Sequence, residues 1–136
     1  MKTEIIYPSI ERIIEYNLLA VTLIPAKKSD QVKVLSSKKL EDIIRDCKEL
    51  NGDLYDKAVF LISNLIRQHP FASANRRTAF ITTKEFLLQN GERFKIVDNP
   101  LHAKIMLGIR ERYYSDQEIK EWLQNGEIRE FTRFNR

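Results

Sequence analysis

Apolar residues recur at helical spacing along most of the chain, and the places where the pattern breaks are few. Ile10, Ile13, Ile14 and Leu18 form a first stripe. Ser9 can cap it, because a hydroxyl accepts from amides of an opening turn and Pro8 discourages helix before it. Leu19 to Ile24 is a short apolar run stopped by Pro25, and it reads equally as the end of that helix or as a strand. From Ala26 to Leu35 the chain turns polar and basic, and alternation of Val32 and Val34 with Gln31 and Lys33 suits an extended flap. Leu40, Ile43, Ile44, Cys47 and Leu50 then mark an amphipathic helix, opened by Ser36 or Ser37 and stopped at Asn51-Gly52.

Asp53 can cap the next helix, about Leu54 to Gln68, which has Leu54, Ala58, Leu61 and Leu65 in one row and Tyr55, Val59, Ile62 and Ile66 in another. So wide an apolar arc predicts a central, buried helix. Ala79, Phe80, Ile81 and then Phe86, Leu87, Leu88 give a second broad arc, ended by Asn90-Gly91. Asn99-Pro100 opens a weaker helix with Leu101, Ile105, Met106 and Ile109. Ser115 with Glu118 makes a capping box before Ile119, Trp122 and Leu123, and Asn125-Gly126 ends that helix. The prediction is an all-α bundle of about six helices with one short flap, a single domain over residues 1–126 and a charged tail over 127–136. That tail holds Ile128, Phe131 and Phe134, which leaves open whether it docks.

Composition agrees and adds limits. With four Gly and four Pro in 136 residues there is little material for β-turns, which favours helices. A net charge of +4 is a mild bias towards anionic ligands. The basic residues do not gather on one helix, which argues against nucleic acid as the partner. Cys47 is the single cysteine and lies on an apolar stripe, so it reads as a core residue rather than half of a disulfide. The opening residues MKTEIIYPSIER lack the apolar segment of a signal peptide, and no run approaches the ~20 apolar residues that span a bilayer. The expectation is a cytoplasmic protein with no membrane association; oligomeric state is not legible.

Between the two most apolar helices lies His69 to Phe80, HPFASANRRTAF. Pro70 ends the first helix at His69, and the second starts within a few residues, presenting its amides and the positive end of its dipole to any anion nearby. Arg76 and Arg77 can grip phosphate through two hydrogen bonds each, and His69 can take a proton from an attacking hydroxyl. Singly, each has a plainer reading as a packing histidine or a solvated arginine. Their concentration on one tight loop between buried helices favours a site.

The stretch is similar to the motif of the Fic/Doc family, HxFx(D/E)GN(G/K)R in Fic proteins and HxFx(D)AN(K)R, often continuing TA, in the Doc branch. The matching residues are His69, Phe71, Ala74, Asn75, Arg77, Thr78 and Ala79, and alanine at 74 with a cation at 76 resembles Doc. The likeness extends to the preceding helix, to KEFLLQNG and to SDQEIKEWL, from about Ser9 to Asn125. It implies a compact helical bundle whose motif loop binds ATP or another nucleoside triphosphate. It makes His69 the general base for a Ser, Thr or Tyr hydroxyl of a protein substrate and Arg77 part of the catalytic set. Ala74, Asn75, Arg76 and Arg77 become phosphate contacts, Phe71 the loop anchor, and Lys33, Val34 and Leu35 the flap on which a target segment docks as an added strand. Fic relatives mostly transfer AMP; Doc moves the γ-phosphate of ATP to a translation factor and is neutralised by an antitoxin.

One position departs from the pattern. Ser73 stands where the family has an Asp or Glu that ligates Mg²⁺. A hydroxyl can join a Mg²⁺ shell, but it brings no charge to hold the cation. Either arginines carry more of the phosphate charge, or a donor binds without metal, or the loop binds without catalysing. Ser37 with Glu41 is the nearest approach to the self-inhibiting pattern (S/T)xxxE(G/N) of many Fic proteins, but Asp42 follows, so restraint would fall to a separate antitoxin.

Overall fold

The structure is a computed structural model that describes residues 4–23, 30–97 and 101–132. Among these residues there are six helices: α1 (Ile10–Leu23), α2 (Ser37–Glu49), α3 (Leu54–Gln68), α4 (Asn75–Gln89), α5 (Leu101–Arg110) and α6 (Asp116–Asn125). The expected all-α bundle of about six helices is therefore observed. The apolar run after Leu18 is helical as far as Leu23, and Leu18, Leu19 and Leu23 stay exposed on its outer face. None of the helices is long and apolar enough to cross a membrane.

Local chemistry sets most of the boundaries. Ser9 Oγ accepts from the Arg12 amide, and Ser36 rather than Ser37 caps α2 by accepting from Lys39. Asp53 with Asp56, and Ser115 with Glu118, form full capping boxes. Asn90 closes α4 and also pins the incoming chain, accepting from the Ile6 amide and donating to its carbonyl, each at 2.8 Å. Asn99 and Pro100, expected to open α5, lie outside the described residues, as do Pro25, Phe134 and the first part of the flap.

The middle helix is α3, which packs on α2, α4, α5 and α6. Ala58, Leu61, Ile62, Leu65 and Ile66 are all essentially without solvent exposure, as the two apolar rows require. At ~1.5–3 kcal/mol for each large aliphatic side chain buried, this helix is the main source of cohesion. It also holds a buried lysine. Lys57 donates to the carbonyls of Cys47, Lys48 and Leu50 at 2.9, 3.2 and 2.7 Å, so three backbone acceptors at the end of α2 are satisfied by one ammonium from α3. Beside it, burial pushes the Cys47 thiol up to about 11, which keeps it protonated and chemically quiet.

The first part of the tail is docked. Ile128 and Phe131 pack against the core. Arg129 lies over the Tyr113 ring at 4.0 Å, donates to the Tyr113 carbonyl at 2.8 Å and pairs with Glu118, while the Tyr114 hydroxyl donates to the Arg129 carbonyl at 2.9 Å. Gly108 permits this arrangement, since any Cβ there would run into the Tyr114 ring.

Two outcomes follow from these contacts. Lys57→Met should lower the unfolding free energy in urea by about 2–4 kcal/mol, because it strips three carbonyls of charged donors at once; a loss below 1 kcal/mol would mean that water replaces them. The Arg129 guanidinium, followed by the Ser115 amide, holds the Glu118 carboxyl at about 2 against an ordinary value of 4.5. The lowered value places the stabilisation of the docked tail fully above pH 4.5 and removes it as pH falls through about 2. Near-ultraviolet circular dichroism of Tyr113 and Tyr114 should report that transition, and Arg129→Ala should move it up towards the ordinary carboxylate range.

Candidate active site in the loop between α3 and α4

Six residues connect α3 to α4, and two take left-handed backbone angles, His69 with φ 54° at the end of α3 and Ala74 with φ 62° at the start of α4. Such angles cost a residue with a Cβ about 1–2 kcal/mol, and they persist here because the loop between them is tied on every side. Phe71 is 1% exposed and sits in the core.

Asn75 closes the loop on itself. Its Oδ1 accepts from the Phe71 amide at 3.0 Å and its Nδ2 donates to the Phe71 carbonyl at 2.8 Å, which fixes the two ends of the side-chain amide. The remaining Nδ2 hydrogen faces Nδ1 of His69 at 3.1 Å. That nitrogen is then the acceptor, and the neutral ring carries its proton on Nε2. Asn75 is 6% exposed and spends both ends of its amide inside the loop.

Ser73 is tied through both its backbone and its side chain. Its carbonyl accepts from Asn17 Nδ2 at 2.9 Å, and its Oγ accepts from the Gln31 amide at 3.0 Å. Asn17, on the buried face of α1, also donates to Thr78 Oγ1 at 3.0 Å and so joins α1, the loop and α4. The flap lies along the loop, with Val34 bridged to Phe71, Leu35 donating to the Pro70 carbonyl at 2.8 Å and the Lys33 carbonyl accepting from Ala72 at 2.9 Å. Lys33 and Leu35 present exposed side chains there, while Val34 is half-buried.

The two motif arginines diverge. Arg77 reaches towards α1, donating to the Ala20 carbonyl at 2.7 Å and pairing with Asp30 at 3.4 Å. Arg76 points into a cleft of about 920 Å³ on the outer side of α4, between α1 and α5. His69, Ser73, Ala74, Asn75, Arg76 and Arg77 all line this cleft, so the structure gathers the predicted catalytic and phosphate residues around one space. Ala74 supplies no side-chain capping hydrogen bond to the first turn of α4, a helix start whose dipole favours an anion.

Other parts of the wall were invisible in the sequence pattern. Tyr16 and Leu19 come from α1, Lys84 and Glu85 from the far turns of α4, and His102, Met106 and Arg110 from α5. His102 stacks on Phe80 at 4.5 Å with 7° between the rings. A signal did exist for Asn17, since it interrupts the buried row Ile13, Asn17, Ala20, Val21 with a polar residue. For Arg110 there was none.

The cation that the motif implies finds a poor set of donors. Among the described residues no three His, Cys, Asp or Glu side chains come together as metal ligands. The hydroxyl of Ser73 is engaged by Gln31, and the Asp30 carboxylate is paired with Arg77. These residues do not by themselves build a Mg²⁺ site.

The sequence model of the Fic/DOC family matches residues 11–87, from the first turn of α1 almost to the end of α4. The chain belongs to the Fic/DOC family. The matched residues include the whole loop and its ties to α1 and the flap, whereas α5 and α6 lie beyond them. Comparison with curated proteins finds no match. Family membership carries a general class, a transferase of the Fic kind.

The hydrogen-bond geometry makes one direct prediction. ¹⁵N spectra of the neutral His69 ring should show the Nε2–H tautomer in the wild type, and Asn75→Ala should give a tautomer mixture together with a stability loss of about 1–3 kcal/mol from the unpaired Phe71 backbone groups. An Nδ1–H ring in the wild type would contradict the assignment.

Proposed function

We propose that the chain transfers a phosphoryl or nucleotidyl group from ATP or another nucleoside triphosphate to a Ser, Thr or Tyr hydroxyl of a protein. The supporting observation is the placement of His69 at the edge of a cleft whose wall holds the uncapped start of α4 and the Arg76 guanidinium. In this reading the target hydroxyl oxygen forms a bond to phosphorus, and the bond to the leaving oxygen breaks, that of a nucleoside diphosphate in phosphoryl transfer or of pyrophosphate in nucleotidyl transfer. The hydroxyl proton goes to His69. Because Asn75 holds Nδ1 as an acceptor, proton uptake there exchanges the Asn75 contact for the hydroxyl, and the loop rests with that bond closed. Arg76 and the α4 amides take up charge on the transferred group. Arg77 acts by holding α4 to α1. The flap edge beside Lys33, Val34 and Leu35 receives the target as an added strand. No step is assigned to a metal.

The proposal extends to the Doc-like branch, with a translation factor as target and an antitoxin as the restraining partner of a toxin. Label transfer to a protein in lysate tests the core of it. Label from γ-labelled ATP reports phosphorylation and label from α-labelled ATP reports AMP transfer. His69→Ala should reduce either by about 10²–10⁴-fold, the usual weight of a general base, and Arg77→Ala should weaken it. Absence of both labels across several nucleotides and metals removes the transferase.

One observation favours a second reading, a module that binds nucleotide or a protein partner without catalysis. Ser73 uses its hydroxyl to hold the flap at Gln31, a structural task, where a catalytic loop of the family has a carboxylate. In that case calorimetry should show nucleotide binding without transfer, and Ser73→Asp should raise activity.

A further inference from the structure

The charges around the cleft are sorted by side. Its two carboxylates are accounted for towards α1, where Asp30 pairs with Arg77 and Glu85 stands near enough to Tyr16 to raise the phenol's pKa, second to the effect of burial. The side towards α5 holds Arg76, Lys84, His102 and Arg110, and among the described residues lining that side there is no carboxylate. Along α4, Arg76, Phe80 and Lys84 are four residues apart and share a face; His102 stacks on Phe80, and Arg110, eight residues along α5, lines the same cleft as Arg76. The proximity of the two guanidiniums has an electrostatic signature. The pKa of Arg76 is lowered by partial burial first, then by Arg110, and then by Arg77.

Neither guanidinium of this pair is satisfied by an acid in the cleft. Arg76 makes no hydrogen bond or ion pair among the described residues. Among the described residues Arg110 pairs with its neighbour Glu111, at 3.3 Å, both side chains being exposed, a surface pair that contributes little. The backbone that carries Arg110 is nonetheless held in place. Ile109 before it is fully buried, and its carbonyl accepts from Arg67 Nε of α3 at 3.0 Å, so the last turn of α5 is fastened to the central helix. Two like charges on one concave wall disfavour each other and are relieved by an oxyanion that bridges them.

We propose that Arg110 and Arg76 form a two-guanidinium clamp for a phosphate group of a polyphosphate ligand, set on the α5 side of the cleft and separate from Arg77. The inference rests on the reading of the cleft as a nucleoside triphosphate site, and it adds a binding residue from outside the family-matched region. It keeps Arg76 as a phosphate residue, as expected, and gives it a partner on α5.

Titration of the full chain with inorganic pyrophosphate by calorimetry tests the clamp. Arg110→Ala should weaken binding by about 10–100-fold, the effect of losing a charged hydrogen-bonding partner. Arg110→Lys, which keeps the charge but not the fork, should recover part of the loss. Arg45→Ala on α2 removes the same charge from an exposed position and should leave binding unchanged. The clamp is overturned if wild type does not bind pyrophosphate, if Arg110→Ala binds as wild type does, or if Arg45→Ala weakens binding equally. Labelled ATP separates this from the activity. Pyrophosphate binding that depends on Arg110, without transfer, removes the transferase and keeps the clamp. Transfer that proceeds in Arg110→Ala with an unchanged KM for the donor removes the clamp and keeps the transferase.

Discussion

The side chain of Asn75 is the contact on which the site depends. A six-residue connection between two packed helices, bent through two left-handed residues and anchored by a buried phenylalanine, must find internal partners for its backbone groups. Asn75 satisfies both groups of Phe71 and reaches His69, Asn17 satisfies the carbonyl of Ser73, and the flap takes up Pro70 and Ala72. Each tie comes from a different element. The loop is therefore rigid because α1, α4 and the flap all converge on it, and rigidity is what lets a histidine and an arginine hold a fixed relation to a bound group.

The same convergence gives the Ser73 side chain a place in the fold. A hydroxyl that accepts from Gln31 keeps the flap against the loop without a negative charge. The negative charge near this corner comes from Asp30, which is already balanced by Arg77. The chain has thus placed its acid and one motif arginine against each other on the α1 side and left the other arginine facing α5. Charge on this cleft is distributed by tertiary structure more than by the motif, and its positive side draws on Arg110, a residue beyond the family-matched region.

The elements were legible because their causes are local. Apolar spacing located all six helices, and Ser9, Ser36, Asp53 and Ser115 cap where short polar residues precede an amphipathic stripe. The central position of α3 could be read from its wide arc, and the motif loop from His69, Phe71 and Asn75. Less legible were Lys57, which looked like an ordinary lysine and is a buried cap for another helix, and the tail, whose docking depends on Tyr113, Tyr114 and Glu118 meeting Arg129. These contacts join residues that sequence spacing does not relate.

The sequence by itself determined a helical bundle, its helix ends and the place of the motif loop between two buried helices, since periodicity, capping and motif spacing act over a few residues. Only the tertiary structure decided which way Arg76 and Arg77 point, which nitrogen of His69 is engaged, what Ser73 does with its hydroxyl and that α5 completes the cleft. Those outcomes are set by what lies across the space from each side chain, and that is determined by helix packing, not by neighbours along the chain.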